Sequence, residues 1–486
     1  MTVDVGAIAD ALRQAGLLVK TPGRLPDAAT GITDDSRAVT PGSMFVAVRG
    51  SAADGHGFLA AAADAGAALA IVEDASLTKL PSLVVSDSRA AAAVAAGAAY
   101  GHPAKSLRLI GVTGTNGKTT TTALLRALLH EKSAPAASIG TLGVLVGAQG
   151  EPSPGGAGLT TPGPVELQRV LRVLVDAGVR TVAMEVSSHS LDQGRVTGLS
   201  FAAAVFTNLT RDHLDYHGTM EAYFAAKAKL ISYLSPDGVA FINAGEAAWA
   251  NLPAAPGKFV FGKGGELEVS PAVRYTLAGA DFELTYAGKS QKVRLPLIGD
   301  FNVENAAAAA AVALQVGVPL PMVASRLSTA PQVPGRLEKL ARGPTIIRDY
   351  AHTPDALERV LKALKPMCAG RLVVVFGCGG DRDKGKRPLM GAIASKLADV
   401  AIVTSDNPRT ENPEQIINDV VAGMPAGKYE RIEDRRAAIE RAIEVAQSSD
   451  VVVIAGKGHE TYQIRGTTHY PFDEKVIVGE ILGASR

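Results

Sequence analysis

The sequence predicts a multidomain α/β protein built on largely parallel sheets, and three observations predict it. The chain has 486 residues, room for about three domains at roughly 150 residues each. Short β-branched apolar runs ending in Gly or Ser recur along it, among them LRLIGVTG at 107–114, RLVVVFG at 371–377 and DVVVIAG at 450–456. Helical patterns separate these runs, and strands alternating with helices argue for buried parallel sheets.

Composition narrows the class. Hydrophobic residues make up 47% and charged residues 20%, a globular balance rather than a disordered one. Lys plus Arg total 49 against 48 Asp plus Glu, a net charge of +1. No global basic field favours nucleic acid, so no nucleic-acid partner is expected. Cys368 and Cys378 are the only cysteines, too few to staple such a chain and suited to a reducing cytoplasm. The longest small-apolar run, 305–316, is too short to cross a bilayer about 30 Å thick. The N-terminus MTVDVGAIADALRQAG lacks a signal-peptide pattern. A cytoplasmic protein without membrane insertion is expected.

In chain order, the first hundred residues alternate short apolar runs with helical patterns: MFVAVRG at 44–50, FLAAAADAGAALAIVED at 58–74 and SLVVSDS at 82–88. The Ala-rich stretch 90–100 reads as helix, and GHPAKS at 101–106 reads as a linker. Buried strands are expected at 107–114, 181–187, 203–209 and 238–244, with a helix from Thr119 to His130. The stretch 258–298 alternates more (FELTYAGKSQKVRLPL) and predicts antiparallel edge strands. A third block opens near PGRLE at 334–338, with strands at 371–377, 399–405 and 450–456. The expected domains are 1–103, 104–334 and 335–486.

GVTGTNGKTT at 111–120 is the strongest local signal. It follows a strand and opens a helix, where glycines let backbone N–H groups surround a phosphate and the helix N-terminus adds positive potential. Lys118 can reach terminal phosphates and the Thr119 hydroxyl can serve magnesium. The generic loop has Gly six residues before the Lys, whereas Val112 stands there and the glycines are Gly111, Gly114 and Gly117.

Glu185 ends a predicted strand, the edge where ligands of parallel sheets collect, and a carboxylate there is a magnesium candidate or a structural ion pair. His213 and His217 flank Asp215. Zinc is not expected, because no matching Cys/His set exists. Lys227 and Lys229, read on residues alone, are solvated helix lysines. Three charged loops follow the last strands: GCGGDRDKGKRPLM at 377–390, SDNPRTENP at 405–413 and AGKGHETYQ at 455–463. On one sheet edge they would form a mixed-charge pocket suited to a zwitterion, guanidinium against carboxylate and carboxylate against ammonium. Otherwise they are three unrelated solvated loops. Cys378 has no partner His nearby and is not expected to be a nucleophile.

Taken together, GVTGTNGKTT, EVSSHSLDQGRV, NLTRDHLDYHG followed by YFAAK, GDFNVENAAAA, PGRLE and DYAHTPDAL resemble, in that order, the Mur ligases. These ATP-dependent enzymes build the peptide stem of bacterial cell-wall precursors. The resemblance runs from DDSRAVTPGSMFVAVRG at 34–50 to AGKGHE at 455–460, and the unusual phosphate loop is the family's form.

The resemblance implies an N-terminal UDP-binding domain, a central P-loop ATPase domain and a C-terminal Rossmann-like domain for the amino acid. TTP at 160–162 and DNPR at 406–409 narrow the expected reaction to adding meso-2,6-diaminopimelate to UDP-N-acetylmuramoyl-L-alanyl-D-glutamate. Ser36, Ser51, Ala52, Ala53, Thr160, Thr161, Ser187, Gln193 and Arg195 would hold that nucleotide dipeptide. Asp34 stands where the family often has an apolar residue. Gly114, Thr115, Asn116, Gly117, Lys118, Thr119 and Thr120, with Asn302, Arg336 and Asp349, would hold ATP. Thr119, Glu185 and His213 would serve magnesium. Arg382, Asp406, Asn407, Pro408, Arg409, Gly456 and Glu460 would hold diaminopimelate. Lys227 matches a lysine carbamylated by carbon dioxide. Lys118, Lys227, Glu185 and His213 would carry the chemistry, in a monomer.

Rival readings are a folylpolyglutamate synthetase, the alanyl-alanine-adding Mur ligase, and a nucleotide-dependent module without ligation. DNPR and TTP argue against the first two, and Glu185, His213 and Lys227 against the third.

Overall fold

The computed structural model describes residues 2–50, 53–156 and 158–483. They form two compact units. One comprises Met1–Val269, Leu284–Ser290 and Glu304–Arg326; the other comprises Ser270–Glu283, Gln291–Val303 and Leu327–Arg486.

The first unit opens with a small sheet whose parallel strands lie in the order Ile32–Thr33, Met44–Val46, Leu69–Val72 and Ser82–Val85, with Leu18–Lys20 antiparallel on the last. Both faces are covered, as a parallel sheet requires. Met44, Val46, Leu69, Ile71, Leu83 and Val85 pack with residues of the helices Val5–Gln14 and Ser88–Ala99. Phe45, Ala70, Val72 and Val84 face the other way. The expected linker is a 3-10 turn, Pro103–Ser106, with Pro103 buried. It is therefore a packed joint, not a free tether. The helix Ser88–Ala99 packs on the helix Pro164–Asp176, and Val165 joins the N-terminal core.

The parallel part of the larger sheet of this unit runs Ala136–Gly140, Thr181–Glu185, Arg108–Thr113, Phe201–Phe206, Leu234–Asn243, Gly257–Phe261 and Leu267–Val269, with Gly143–Val146 and then Glu151–Ser153 antiparallel on its first edge. Arg108–Thr113 lies between Thr181–Glu185 and Phe201–Phe206, so the loops that follow these three strands emerge on one edge. Within 258–298 the structure departs from expectation at the start. Gly257–Phe261 extends the parallel sheet, and antiparallel pairing begins only with Gly279–Tyr286. Both segments alternate in burial, so the pattern marks a strand in each case and leaves the direction of its pairing open.

The second unit holds a sheet in the order Glu338–Ala341, Thr345–Asp349, Val451–Ala455, Leu372–Phe376, Val400–Val403 and Glu430–Arg431, parallel except for its first pair. Val374 and Phe376 face one core and Val373 and Val375 the other. The loops after Phe376, Val403 and Ala455 therefore share one edge. A hairpin of Tyr462–Arg465 and Thr468–Pro471 follows. Among the described residues, no helix is long and apolar enough to cross a membrane.

Candidate functional site

The strand Arg108–Thr113 hands over to the helix Lys118–Leu129 through four residues. Gly114 has φ +145 and a Cβ there would lie 1.9 Å from Thr207 Oγ1. Gly117 has φ +87 and its Cβ would meet Asn305 Oδ1 at 2.3 Å. Only glycine combines that backbone with that closeness. The loop is fastened to the segment after Phe206. Thr115 N donates to Asn208 O at 2.7 Å, Asn116 N to Asn208 Oδ1 at 2.9 Å, and Thr207 Oγ1 to Asn116 O at 2.7 Å. Thr119 and Thr120 are buried in the first helical turn. Thr207, Asn208 and Asn305 escaped the sequence reading; their signal was TNLT directly after a strand and the second Asn of NVEN.

Lys118 folds back, its Nζ donating to Gly114 O and Thr115 O at 2.9 and 2.8 Å. Lys227, near the end of the helix Met220–Ala228, is buried and donates to the same Gly114 carbonyl at 2.7 Å. Its Nζ lies 4.4 Å from the centre of the Tyr223 ring. Burial, and then the neighbouring Lys118 charge, hold its amine well below the usual lysine range. The reading of Lys227 as a solvated helix lysine is thereby corrected. Lys229 is half-exposed and ion-paired to Asp192 at 2.8 Å.

Glu185 is buried at its strand end, its carboxylate accepting from Thr141 N at 2.8 Å and Thr141 Oγ1 at 3.2 Å. A Cβ on Gly140 would sit 2.2 Å from Glu185 Oε1, so the glycine makes room for the carboxylate. His213, at φ +52, belongs to a cluster with His189, His217, Tyr216 and Tyr223. Burial lowers all three imidazoles, His189 to about 4. Among the described residues, no group of three or more His, Cys, Asp or Glu could hold a metal alone. A buried carboxylate, a threonine hydroxyl and a neutral imidazole instead fit magnesium, which keeps waters and phosphate oxygens as most of its ligands.

Thr161 Oγ1 donates to Glu185 O at 2.8 Å and accepts from Ser187 N at 3.1 Å. Thr160 lies 3.2 Å from Thr141 Oγ1. Arg195 donates to Gln193 Oε1 at 2.7 Å and to Thr161 O at 3.0 Å. The structure thus gathers Thr160, Thr161, Ser187, Gln193 and Arg195 beside Glu185. Ser36 opens the 3-10 turn Ser36–Ala38. The carboxylate of nearby Asp34 would be 3.5 Å from a Cβ on Gly163, in the TTPG segment, and burial raises its pKa. Ala53 accepts from Gly50 N. Ser51 and Ala52 lie outside the described residues.

In the second unit, Asp349 is buried and accepts from Leu337 N at 2.7 Å and Ala351 N at 2.8 Å. Burial raises its pKa against the pull of Arg336, whose guanidinium lies 4.7 Å from the Tyr350 ring centre. Asn302 Nδ2 donates to Ile298 O. His352 Nδ1 is 2.9 Å from Tyr350 O.

The three charged loops do converge. Arg409, at φ +51, donates to Gly380 O at 2.9 Å. A Cβ on Gly379 would lie 2.9 Å from Arg409 Nη1 and 3.9 Å from Arg382 Cγ, which puts both arginines at one glycine. A Cβ on Gly456 would meet Asp406 Oδ2 at 2.7 Å. Asn407 Nδ2 donates to Glu460 Oε2 at 2.9 Å. Pro408 places its carbonyl 1.9 Å from where a Gly380 Cβ would stand. Cys378 is buried, its thiol pushed up to about 12 by desolvation, unsuited to nucleophilic work.

A glycine-rich phosphate loop, a carboxylate and imidazole beside it, and an edge of mixed charge on a parallel sheet define a nucleotide-dependent α/β enzyme. Three family profiles cover most of the chain: "Mur ligase family, catalytic domain" over 28–110, "Mur ligase middle domain" over 112–313 and "Mur ligase, glutamate ligase domain" over 335–458. The chain belongs to the Mur ligase family. It is 46% identical over 464 residues to the UDP-N-acetylmuramoyl-L-alanyl-D-glutamate–2,6-diaminopimelate ligase of Synechococcus elongatus, covering 92% of this chain and 93% of that one. It is 46% identical over 457 residues to the ligase of the same name from Geobacillus kaustophilus, covering 91% and 92%. A solved structure of a ligase of that name superposes with a TM-score of 0.67 at 36% identity, covering 100% of this chain and 99% of that one.

Proposed function

We infer that this chain is an ATP-dependent ligase that joins meso-2,6-diaminopimelate to the γ-carboxylate of UDP-N-acetylmuramoyl-L-alanyl-D-glutamate, in peptidoglycan precursor synthesis. The observation that carries this is similarity along more than nine tenths of the chain to relatives of that name. The domains are taken as 1–103 for UDP, 104–334 for ATP and 335–486 for the amino acid. The enzyme works as a monomer in the cytoplasm, where ATP and the nucleotide sugar are made.

The γ-carboxylate of the D-glutamyl residue attacks the γ-phosphorus of ATP, giving an acyl phosphate and ADP. The loop amides of 114–120 and Lys118 offset negative charge on the transferring phosphoryl group. Lys118 reaches it by leaving the Gly114 and Thr115 carbonyls it now holds. Arg336 and Asp349 hold the nucleotide, with Asn302. Thr119, Glu185 and His213 would hold magnesium, which when bound neutralises phosphate charge. Arg195, braced on Thr161, and Thr160, Ser187 and Gln193 align the dipeptide; Ser36 and 51–53 hold the uridine end.

Lys227 acts as a carbamate. Its buried uncharged amine is the form that attacks carbon dioxide, forming an N–C bond and losing one proton, which turns a neutral amine into an anion. The diamino acid then attacks the acyl carbon through an uncharged amine. The tetrahedral intermediate expels phosphate and leaves the amide. Arg409 and Arg382 pair with substrate carboxylate, and Asp406 or Glu460 with the distal ammonium. Lysine lacks the distal carboxylate and would leave Arg409 unpaired, so it is a poor substrate.

The test is phosphate release from ATP with the nucleotide dipeptide, comparing meso-diaminopimelate with L-lysine. Turnover with diaminopimelate and not lysine is expected. Silence with both overturns the reading.

A further inference from the structure

Lys457 is fully buried, yet no part of the reaction above uses it. It follows the strand Val451–Ala455, at the floor of the edge where the three charged loops meet. Its Nζ donates to Asn407 Oδ1 at 2.9 Å and to Glu460 Oε2 at 3.0 Å, and lies 3.7 Å from Asp406 Oδ1. A buried ammonium needs such partners. Here all three come from the segments that carry the amino-acid residues.

The arrangement fixes more than charge. Asn407 Oδ1 accepts from Lys457 and also from Ile464 N at 2.9 Å, while its Nδ2 donates to Glu460 Oε2. The amide oxygen is thus spent on protein partners, and the orientation of the amide is set. Glu460 presents Oε2 inward to both Lys457 and Asn407, which fixes the direction of its carboxylate. The hairpin clamps the same loop from behind. Gln463 Nε2 donates to Asp406 O at 2.7 Å and Arg409 N donates to Ile464 O at 3.1 Å.

We propose that Lys457 is a positioning residue for the diamino-acid site: from beneath the pocket its ammonium sets Asn407 and Glu460 in the orientation that receives the substrate. The proposal rests on the amino-acid reading of these loops. Lys457 itself touches no substrate; it acts through the two side chains it holds.

The experiment measures KM for all three substrates and kcat in wild type, Lys457→Met and Lys457→Gln, with thermal melting alongside. Wild-type turnover with diaminopimelate checks the reading underneath, separately from the variants. Lys457→Met is expected to raise KM for diaminopimelate about 10- to 100-fold, the scale of losing hydrogen bonds to a charged group. KM for ATP and for the nucleotide dipeptide should move less than about threefold. Lys457→Gln keeps a donor for Asn407 and Glu460 and should recover part of the loss. Uniform change in all three KM values, an unaltered diaminopimelate KM, or failure of both variants to fold overturns the proposal, because each makes Lys457 a scaffold residue only.

Discussion

Lys118 and Lys227 donate to the same carbonyl oxygen, that of Gly114, at 2.9 and 2.7 Å. Burial penalises the ammonium form of the deeper Lys227, and repulsion from the neighbouring Lys118 charge adds to it. The uncharged Lys227 amine that results is suited to carbon dioxide. Turnover by wild type should fall when bicarbonate and carbon dioxide are stripped from the buffer, and return on their addition. Lys227→Ala should lose activity by about a hundredfold or more, a drop of roughly 3 kcal/mol in transition-state stabilisation, with partial rescue by short carboxylic acids. Full activity of Lys227→Ala without added acid sinks the carbamate.

Glu185 depends on a glycine across the sheet. The Gly140 Cβ would stand 2.2 Å from Oε1 and 2.7 Å from Cδ of Glu185, so Gly140→Ala must push the carboxylate aside. The expected result is a higher magnesium requirement and a kcat reduced about tenfold, a loss of roughly 1.4 kcal/mol. A magnesium titration of activity reads it. An unchanged magnesium dependence argues that Glu185 serves the strand end and not the metal.

Arg409 is held at φ +51 with its guanidinium on the Gly380 carbonyl. Its shape matters as well as its charge, since a planar fork meets a carboxylate at two points. Arg409→Lys should therefore lose most of the preference for diaminopimelate over lysine, by about 10- to 100-fold in the ratio of kcat/KM values. Competition between the two amino acids in one reaction measures that ratio. A ratio equal to wild type moves the selection to Arg382.

Much of this was legible in the residues. The strands Arg108–Thr113, Leu372–Phe376 and Val451–Ala455 announce themselves as β-branched runs closed by glycine or a polar loop. The phosphate loop is local in sequence, so its glycines and lysine read directly. Lys227 did not: on one helix, only the three-dimensional neighbours Gly114, Tyr223 and Lys118 turn a lysine into a buried one. Asn305 likewise reaches Gly117 across some 190 positions of chain, and no local pattern encodes that closeness. Lys457 was visible only as one cation among several in its loops; Glu460 is three residues away, but Asn407, the other group that holds it, is distant in the chain. Gly257–Phe261 joins the parallel sheet although its half-buried alternation reads as an edge strand, because alternation marks a strand and not the direction of its partner.

His459 gives a prediction about stability rather than turnover. Its ring is largely buried with Nδ1 lacking a hydrogen-bond partner, and desolvation, then Arg336 and Arg348, lower its pKa to about 4. The unfolded chain binds that proton near the ordinary histidine value of 6.5. Between those two pH values the unfolded state holds more protons, so stability falls as pH drops from about 6.5 and levels off below about 4. The loss from this one residue is on the order of 3 kcal/mol. Denaturant unfolding at a series of pH values, wild type beside His459→Gln, isolates it. The difference between the two curves should change across pH 4 to 6.5 and stay flat above 7. A difference that is constant across the whole range places the proton on His459 in the folded state at its ordinary pKa, and removes the desolvation argument.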